Sequence, residues 1–153
     1  MKTIAVIGSA GTNARAWTNA FLAASWRVRN LVRNPNKVAP RAHLTPVVFD
    51  FDDRRTYEPA LAGVDVLALI SPTQPQQVAW ENELIAAAHH VGVGGVIKLS
   101  VIGAEMAEPI SFFARNAAQV EKVLHRSGAP HIVLRARAVS ERIESWEGFP
   151  NRL

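Results

Sequence analysis

Apolar positions along this chain come in short bursts, separated by longer stretches with helical periodicity. The first burst, Thr3-Ile-Ala-Val-Ile7, is β-branched and reads as a strand. Residues 12–24 then read as a helix, with Trp17, Phe21 and Leu22 on its buried stripe. Arg27–Val32 alternates polar and apolar as a second strand, Asn34-Pro35-Asn36 makes a turn, and residues 46–50 form a short third strand. A helix over 52–62 accommodates Pro59 and takes Asp52 or Asp53 as its cap. Residues 64–70 are almost entirely apolar, as a central parallel strand covered on both faces requires. Ser71-Pro-Thr-Gln-Pro75 ends that strand, and a helix follows to Val91, stopped by Gly92. Residues 95–100 give a fifth strand, 110–126 a helix closed by Gly128, and 130–135 a sixth strand.

Strand and helix therefore alternate throughout, which implies a parallel sheet with right-handed crossovers. The expected architecture is α/β, a three-layer doubly wound sheet in the order 3-2-1-4-5-6. Past Arg135 the pattern loosens. The expected division is a nucleotide-binding domain over residues 1–136 and a tail over 137–153.

The junction after the first strand carries the chemistry. Gly8, Gly11 and Ala14 recur every three residues where strand gives way to helix. Gly8 permits a tight turn, Gly11 lets backbone approach a ligand without a Cβ between, and Ala14 lets the helix sit close on the strand. Free N–H groups at the helix start, aided by the helix dipole, then face an anion. This is the pyrophosphate corner of a Rossmann dinucleotide fold, with Gly8, Ser9, Gly11, Thr12 and Asn13 as its expected contacts.

The end of the second strand selects the cofactor. NAD-binding corners usually place Asp or Glu there, about 20 residues beyond the glycines, to hold both ribose hydroxyls. Here the place holds Leu31-Val-Arg-Asn34. A carboxylate would repel a 2′-phosphate, whereas a guanidinium grips it with charge-assisted bonds. Arg33, supported by Lys37, thus points to NADP(H) over NAD(H).

Composition removes other classes. At 153 residues, 48% apolar and 20% charged, the chain is one ordinary globular domain. No run approaches the roughly 18 apolar residues of a membrane span, and the first strand is too short for a signal peptide. Cytoplasm is the expected location. With no cysteine, thiolate metal sites and a cysteine nucleophile are excluded. The net charge of +4 is spread along the chain, with no Lys/Arg run or motif that marks a nucleic-acid binder. His89 and His90 adjoin on one helix, so their side chains diverge by about 100°. His43, His125 and His131 have no ligand spacing with them, and no metal site is expected.

Several segments together resemble the NmrA-like branch of the atypical short-chain dehydrogenase/reductase superfamily. Gly8-Ser-Ala-Gly-Thr-Asn-Ala14 matches its GxxGxxG, with alanine at the third glycine, and Leu31-Val-Arg-Asn34 its second-strand end. Phe49-Asp-Phe-Asp-Asp53 resembles the third-strand end, which implies that Asp50 and Phe51 line the adenine pocket. Leu69-Ile-Ser-Pro72 and Ile97-Lys-Leu-Ser100 resemble the fourth and fifth strand ends, which places Ser71, Lys98 and Ser100 along the nicotinamide path. Ser127-Gly-Ala-Pro-His-Ile-Val-Leu-Arg135 resembles the family's stretch after the helix that corresponds to 110–126. The resemblance covers roughly residues 3–143.

That resemblance also implies groups that are missing here. Quinone, azo and isoflavone-type reductases of the family carry His or Lys near the start of the helix that corresponds to 110–126, where this chain has Ala117. The Tyr-x-x-x-Lys pair is absent, Tyr57 being the only tyrosine. Ala136 stands where the family often has proline. Family members are longer, so residues 137–153 read as a remnant of the substrate-binding region, and the nicotinamide side of the cleft is expected to be open. The expected function is NADP(H) binding, with hydride transfer to a quinone-like or conjugated carbonyl substrate and no identifiable catalytic acid. The alternative is a non-catalytic, redox-sensing regulator or a truncated scaffold. Lys98 is either a cofactor contact or a solvated side chain, and Glu81 and Glu83 read as exposed helix charges. Trp17, Trp26 and Trp80 read as packing residues. Trp146 and Phe149 either cover an apolar edge or mark a contact with a second copy or a protein partner.

Overall fold

The computed structural model describes residues 1–8, 11–106, 108–109 and 111–137. Six strands, β1 (Thr3–Ile7), β2 (Arg27–Val32), β3 (Leu44–Val48), β4 (Val66–Leu69), β5 (Gly95–Val101) and β6 (His131–Ala136), form one sheet. All neighbours are parallel, in the order β3-β2-β1-β4-β5-β6. The crossovers carry α1 (Thr12–Ala23), α2 (Tyr57–Leu61), α3 (Gln77–His90) and α4 (Phe112–Ser127).

The burst pattern of the sequence is the two-sided burial of this sheet. Ile4, Val6, Val28 and Ala68 face α1, where Trp17, Phe21 and Leu22 close over them half-buried. Ala5, Ile7, Leu31, Leu67 and Leu69 point the other way, into a core shared with Tyr57, Leu61, Leu84, Ile85, Val120 and Leu124. Alternate residues of one strand thus enter two different cores, which is why β4, and β1 beyond Thr3, show no polar position. The helix ends follow local chemistry. Ser111 caps α4 by accepting from the Ala114 N–H at 3.0 Å, and Gly128 ends it at φ 68°. Gly92, at φ 78°, follows α3.

Two segments differ from expectation. The third strand runs over Leu44–Val48, two residues earlier than the apolar cluster implied. Pro46 is tolerated inside it because β3 is an edge strand and needs no donor on its outer side. Asp50 lies beyond the strand, in a bridge with Asp53. The single helix expected over 52–62 is instead a 3-10 turn, Arg54–Thr56, followed by α2. Asp53, not Asp52, is the cap, accepting from the Arg55 N–H at 3.1 Å. Arg29 of β2 then ties down the end of α2 through the carbonyls of Ala60 (3.0 Å) and Ala62 (2.7 Å). No described helix is long and apolar enough to cross a membrane.

Candidate functional site

Because all six strands run the same way, their carboxyl ends gather at one edge, and the order reverses between β1 and β4. A crevice at such a reversal is where open α/β sheets bind ligands. Gly8 turns the chain out of β1 at φ 81°, a left-handed conformation that a side chain would strain, and its N–H donates to the Leu31 carbonyl at 2.8 Å. Gly11 is the N-cap of α1 and makes no side-chain capping bond, and the first turn holds no acidic residue. A Cβ built on Gly11 would meet nothing within 4 Å. The helix start therefore offers backbone N–H groups towards open space, with no carboxylate competing. Thr12 and Asn13 flank it, both exposed. Ser9 lies outside the described residues, as do Trp146 and Phe149.

A cleft of about 1020 Å³ runs from this corner along the ends of β4, β5 and β6. Gly8, Gly11, Thr12 and Asn13 line one end, and Ser71, Lys98, Ser100 and Ala117 line the middle. Phe113, 53% exposed, and Arg137, also exposed, stand at the far end. Arg33, Lys37, Asp50 and Phe51 fall outside this lining, towards β2 and β3. Arg33 and Lys37 are exposed and take part in no ion pair among the described residues. Asp50 closes a local turn, its carboxylate accepting from the Asp52 N–H at 3.0 Å. Phe51 stacks on Trp80 of α3, ring centroids 5.1 Å apart.

Below the cleft lies a charge pair that the sequence did not reveal. Glu81 is fully buried, not an exposed helix charge, and Lys98 is 2% exposed, not solvated. The Lys98 ammonium sits 2.9 Å from both Glu81 oxygens. Oε1 also accepts from the Ser71 hydroxyl and from the Gln77 amide at 3.1 Å, while Oε2 has the ammonium but no well-directed hydrogen bond. Glu81 is inside because it shares the sheet-facing side of α3 with Gln77, Leu84, Ile85 and Ala88. Lys98 is inside because it alternates with Val96 and Ser100 on the helix-covered face of β5. Glu83, by contrast, is partly exposed and pairs with Arg54.

A second network repeats the theme one strand over. Ser100 donates to Glu121 of α4 at 2.5 Å, and Arg135 of β6 holds the same carboxylate with both arms, at 3.1 and 2.6 Å. Burial pushes the Glu121 carboxyl up, but the bonds from Arg135 and Ser100 outweigh it and hold the group below the ordinary carboxylate range. Glu105 adds to the field at 3.6 Å from Arg135.

The remaining titratable candidates point elsewhere. Tyr57 is 2% exposed, its hydroxyl donates to the Phe51 carbonyl at 2.8 Å, and burial pushes its phenol up to about 12. It cannot serve as an acid for the cleft. His125 and His131, which share no ligand spacing, are brought together at 2.8 Å on the outer face of α4 and β6. No group of three or more His, Asp or Glu among the described residues is arranged to hold a metal.

The chain resembles known proteins in both sequence and fold. A family model described as the NmrA-like family matches residues 1–145. The (4-alkanoyl-5-oxo-2,5-dihydrofuran-3-yl)methyl phosphate reductase of Streptomyces griseus subsp. griseus is 31% identical over 146 residues, 94% of this chain and 50% of its own. The NADPH-dependent quinone oxidoreductase of Escherichia coli, solved with NADPH, superposes with a TM-score of 0.74 at 28% identity, over 86% of this chain and 48% of its own. The Citrobacter sp. triphenylmethane reductase, solved with NADP(H), shares the fold with a TM-score of 0.77 at 24% identity, over 87% and 48%. The chain spans about half the length of these relatives.

Proposed function

Since the chain belongs to the NmrA-like family, we propose that it binds NADP(H) across the carboxyl edge of the sheet and acts as an NAD(P)H-dependent reductase. The observation that carries this is the α1 N-terminus. It is uncapped by any side chain, free of acidic residues in its first turn, open in front of Gly11, and placed where the strand order reverses. Those features fit a pyrophosphate. Gly8, Gly11, Thr12 and Asn13, with Ser9, would hold it. Arg33 and Lys37 would take the 2′-phosphate, Asp50 and Phe51 would border the adenine, and Ser71, Lys98 and Ser100 would floor the nicotinamide end.

When bound, NADPH supplies the hydride. The chain's own residues hold and orient the dinucleotide and keep one side of the reacting ring dry. The acceptor class is a quinone or a conjugated carbonyl, the chemistry named in the matched quinone and furanone reductases. Residues 137–153 would be a remnant of the substrate-binding region. Incubation with NADPH and a panel of quinones and unsaturated lactones tests this through loss of the reduced-nicotinamide absorbance. Acceptor-dependent oxidation is expected.

One observation favours a second reading, a non-catalytic dinucleotide-binding regulator. Ala117 lines the cleft at the position where the family resemblance implies His or Lys, and it can neither donate a proton nor hold a carbonyl. Tight NADPH binding with no oxidation by any acceptor would select this reading.

A further inference from the structure

Two hydroxyls on the floor of the cleft have their protons already committed. Ser71, just past β4, donates to Glu81, and Ser100, near the end of β5, donates to Glu121. A cation clamps each carboxylate: Lys98 lies 2.9 Å from both Glu81 oxygens, and Arg135 binds both Glu121 oxygens. Glu81 is 0% and Glu121 4% exposed, so neither carboxylate can turn away to water. A serine hydroxyl has one proton and two lone pairs. With the proton given to a charged acceptor, only lone pairs remain for a ligand in the cleft that both serines line.

Resting on the reading that this cleft takes the nicotinamide half of the dinucleotide, we propose that Ser71 and Ser100 form an acceptor-only subsite for its hydrogen-bond donors, the ribose hydroxyls and the carboxamide N–H. Glu81 and Glu121 are the positioning residues that set this polarity, and neither lines the cleft. The two sets converge from different elements, β4 with α3 and β5 with α4, so one polarity is built twice. Bonding to a charged group also polarises each hydroxyl and strengthens it as an acceptor. At the two serine oxygens a bare carbonyl oxygen meets lone pairs alone, and the neighbouring Lys98 ammonium is already engaged by Glu81. The subsite therefore selects the cofactor's sugar and amide, and leaves a substrate carbonyl to be held elsewhere.

Calorimetric titration with NADPH and with 2′,5′-ADP, which lacks the nicotinamide half, tests the assignment. Ser71→Ala and Ser100→Ala are each expected to weaken NADPH about 2- to 12-fold, the worth of one neutral hydrogen bond, and to leave 2′,5′-ADP unchanged. Ser100→Thr, which keeps the hydroxyl, retains wild-type affinity. Glu121→Gln is the decisive variant. The shorter Arg135 bond, 2.6 Å to Oε2, holds the amide oxygen on the arginine side, so the amide N–H faces Ser100, turns the serine proton into the cleft and weakens NADPH although the hydroxyl remains. Adding Ser100→Ala to it then weakens NADPH no further.

Three outcomes overturn the proposal: serine-to-alanine variants with unchanged NADPH affinity, Ser100→Thr as weak as Ser100→Ala, or fully additive Glu121→Gln and Ser100→Ala effects. If Glu121→Gln fails to fold and loses 2′,5′-ADP as well, the alanine and threonine arms decide. A wild-type protein that binds neither nucleotide overturns the dinucleotide reading itself, and this inference with it.

Discussion

Lys98→Met is expected to destabilise the protein by about 3–5 kcal/mol, because removing one partner of a buried ion pair strands the other. Methionine nearly matches lysine in length and is apolar, so the loss is not that of a cavity. It is the electrostatic cost of Glu81, fully buried, with no cation beside it. The Ser71 and Gln77 bonds to Glu81 remain, but two neutral donors do not replace a charge at 2.9 Å. The double variant Lys98→Met/Glu81→Met removes both charges and should recover most of the lost stability, since apolar replacement of a whole buried pair is often neutral or better. Denaturant unfolding of the two single variants and the double variant measures this as a cycle. Strong non-additivity is the expected result. Two small, additive losses would mean that water reaches the pair and that the burial described here is not maintained in solution.

Arg33→Ala is expected to weaken NADPH binding about 10- to 150-fold, the loss of a charge-assisted bond of roughly 1.5–3 kcal/mol. NADH affinity should barely change, because NADH lacks the 2′-phosphate. Arg33 suits this role structurally. It follows β2 directly, beside the Gly8 corner, and it is exposed with no carboxylate engaging it among the described residues. No ion pair among the described residues has to break when a phosphate arrives. Raising the salt concentration should narrow the difference between NADPH and NADH, since both partners are solvent-facing and screened. A similar drop for both nucleotides would place Arg33 on the shared part of the dinucleotide instead.

Much of the fold was legible because parallel sheets write themselves plainly. Strands buried on two faces have few polar positions, and the helical stretches between them leave few topologies open. The strand order and the glycine corner follow from that pattern. The third strand was misplaced by two residues because Pro46 resembles a strand boundary, yet an edge strand tolerates it. The helix over 52–62 was overextended because Asp53 caps a 3-10 turn before α2 begins at Tyr57.

The charge networks were illegible for a different reason. Glu81 looks like any helix acid until α3 is rotated onto the sheet, and Lys98 is 17 residues away on another element. Glu121 meets Ser100 and Arg135 across 21 and 14 residues, again through tertiary packing alone. No local period encodes such a meeting. A retrospective signal exists only in Val96, Lys98 and Ser100, which share one face of a strand whose pattern of burial puts that face inside.

The most direct test of the account is a calorimetric titration of the wild-type protein with NADPH and with NADH under identical salt. Saturable NADPH binding, tighter than that of NADH, is the expected result. Absence of binding by either nucleotide, or equal affinity for both, would contradict it.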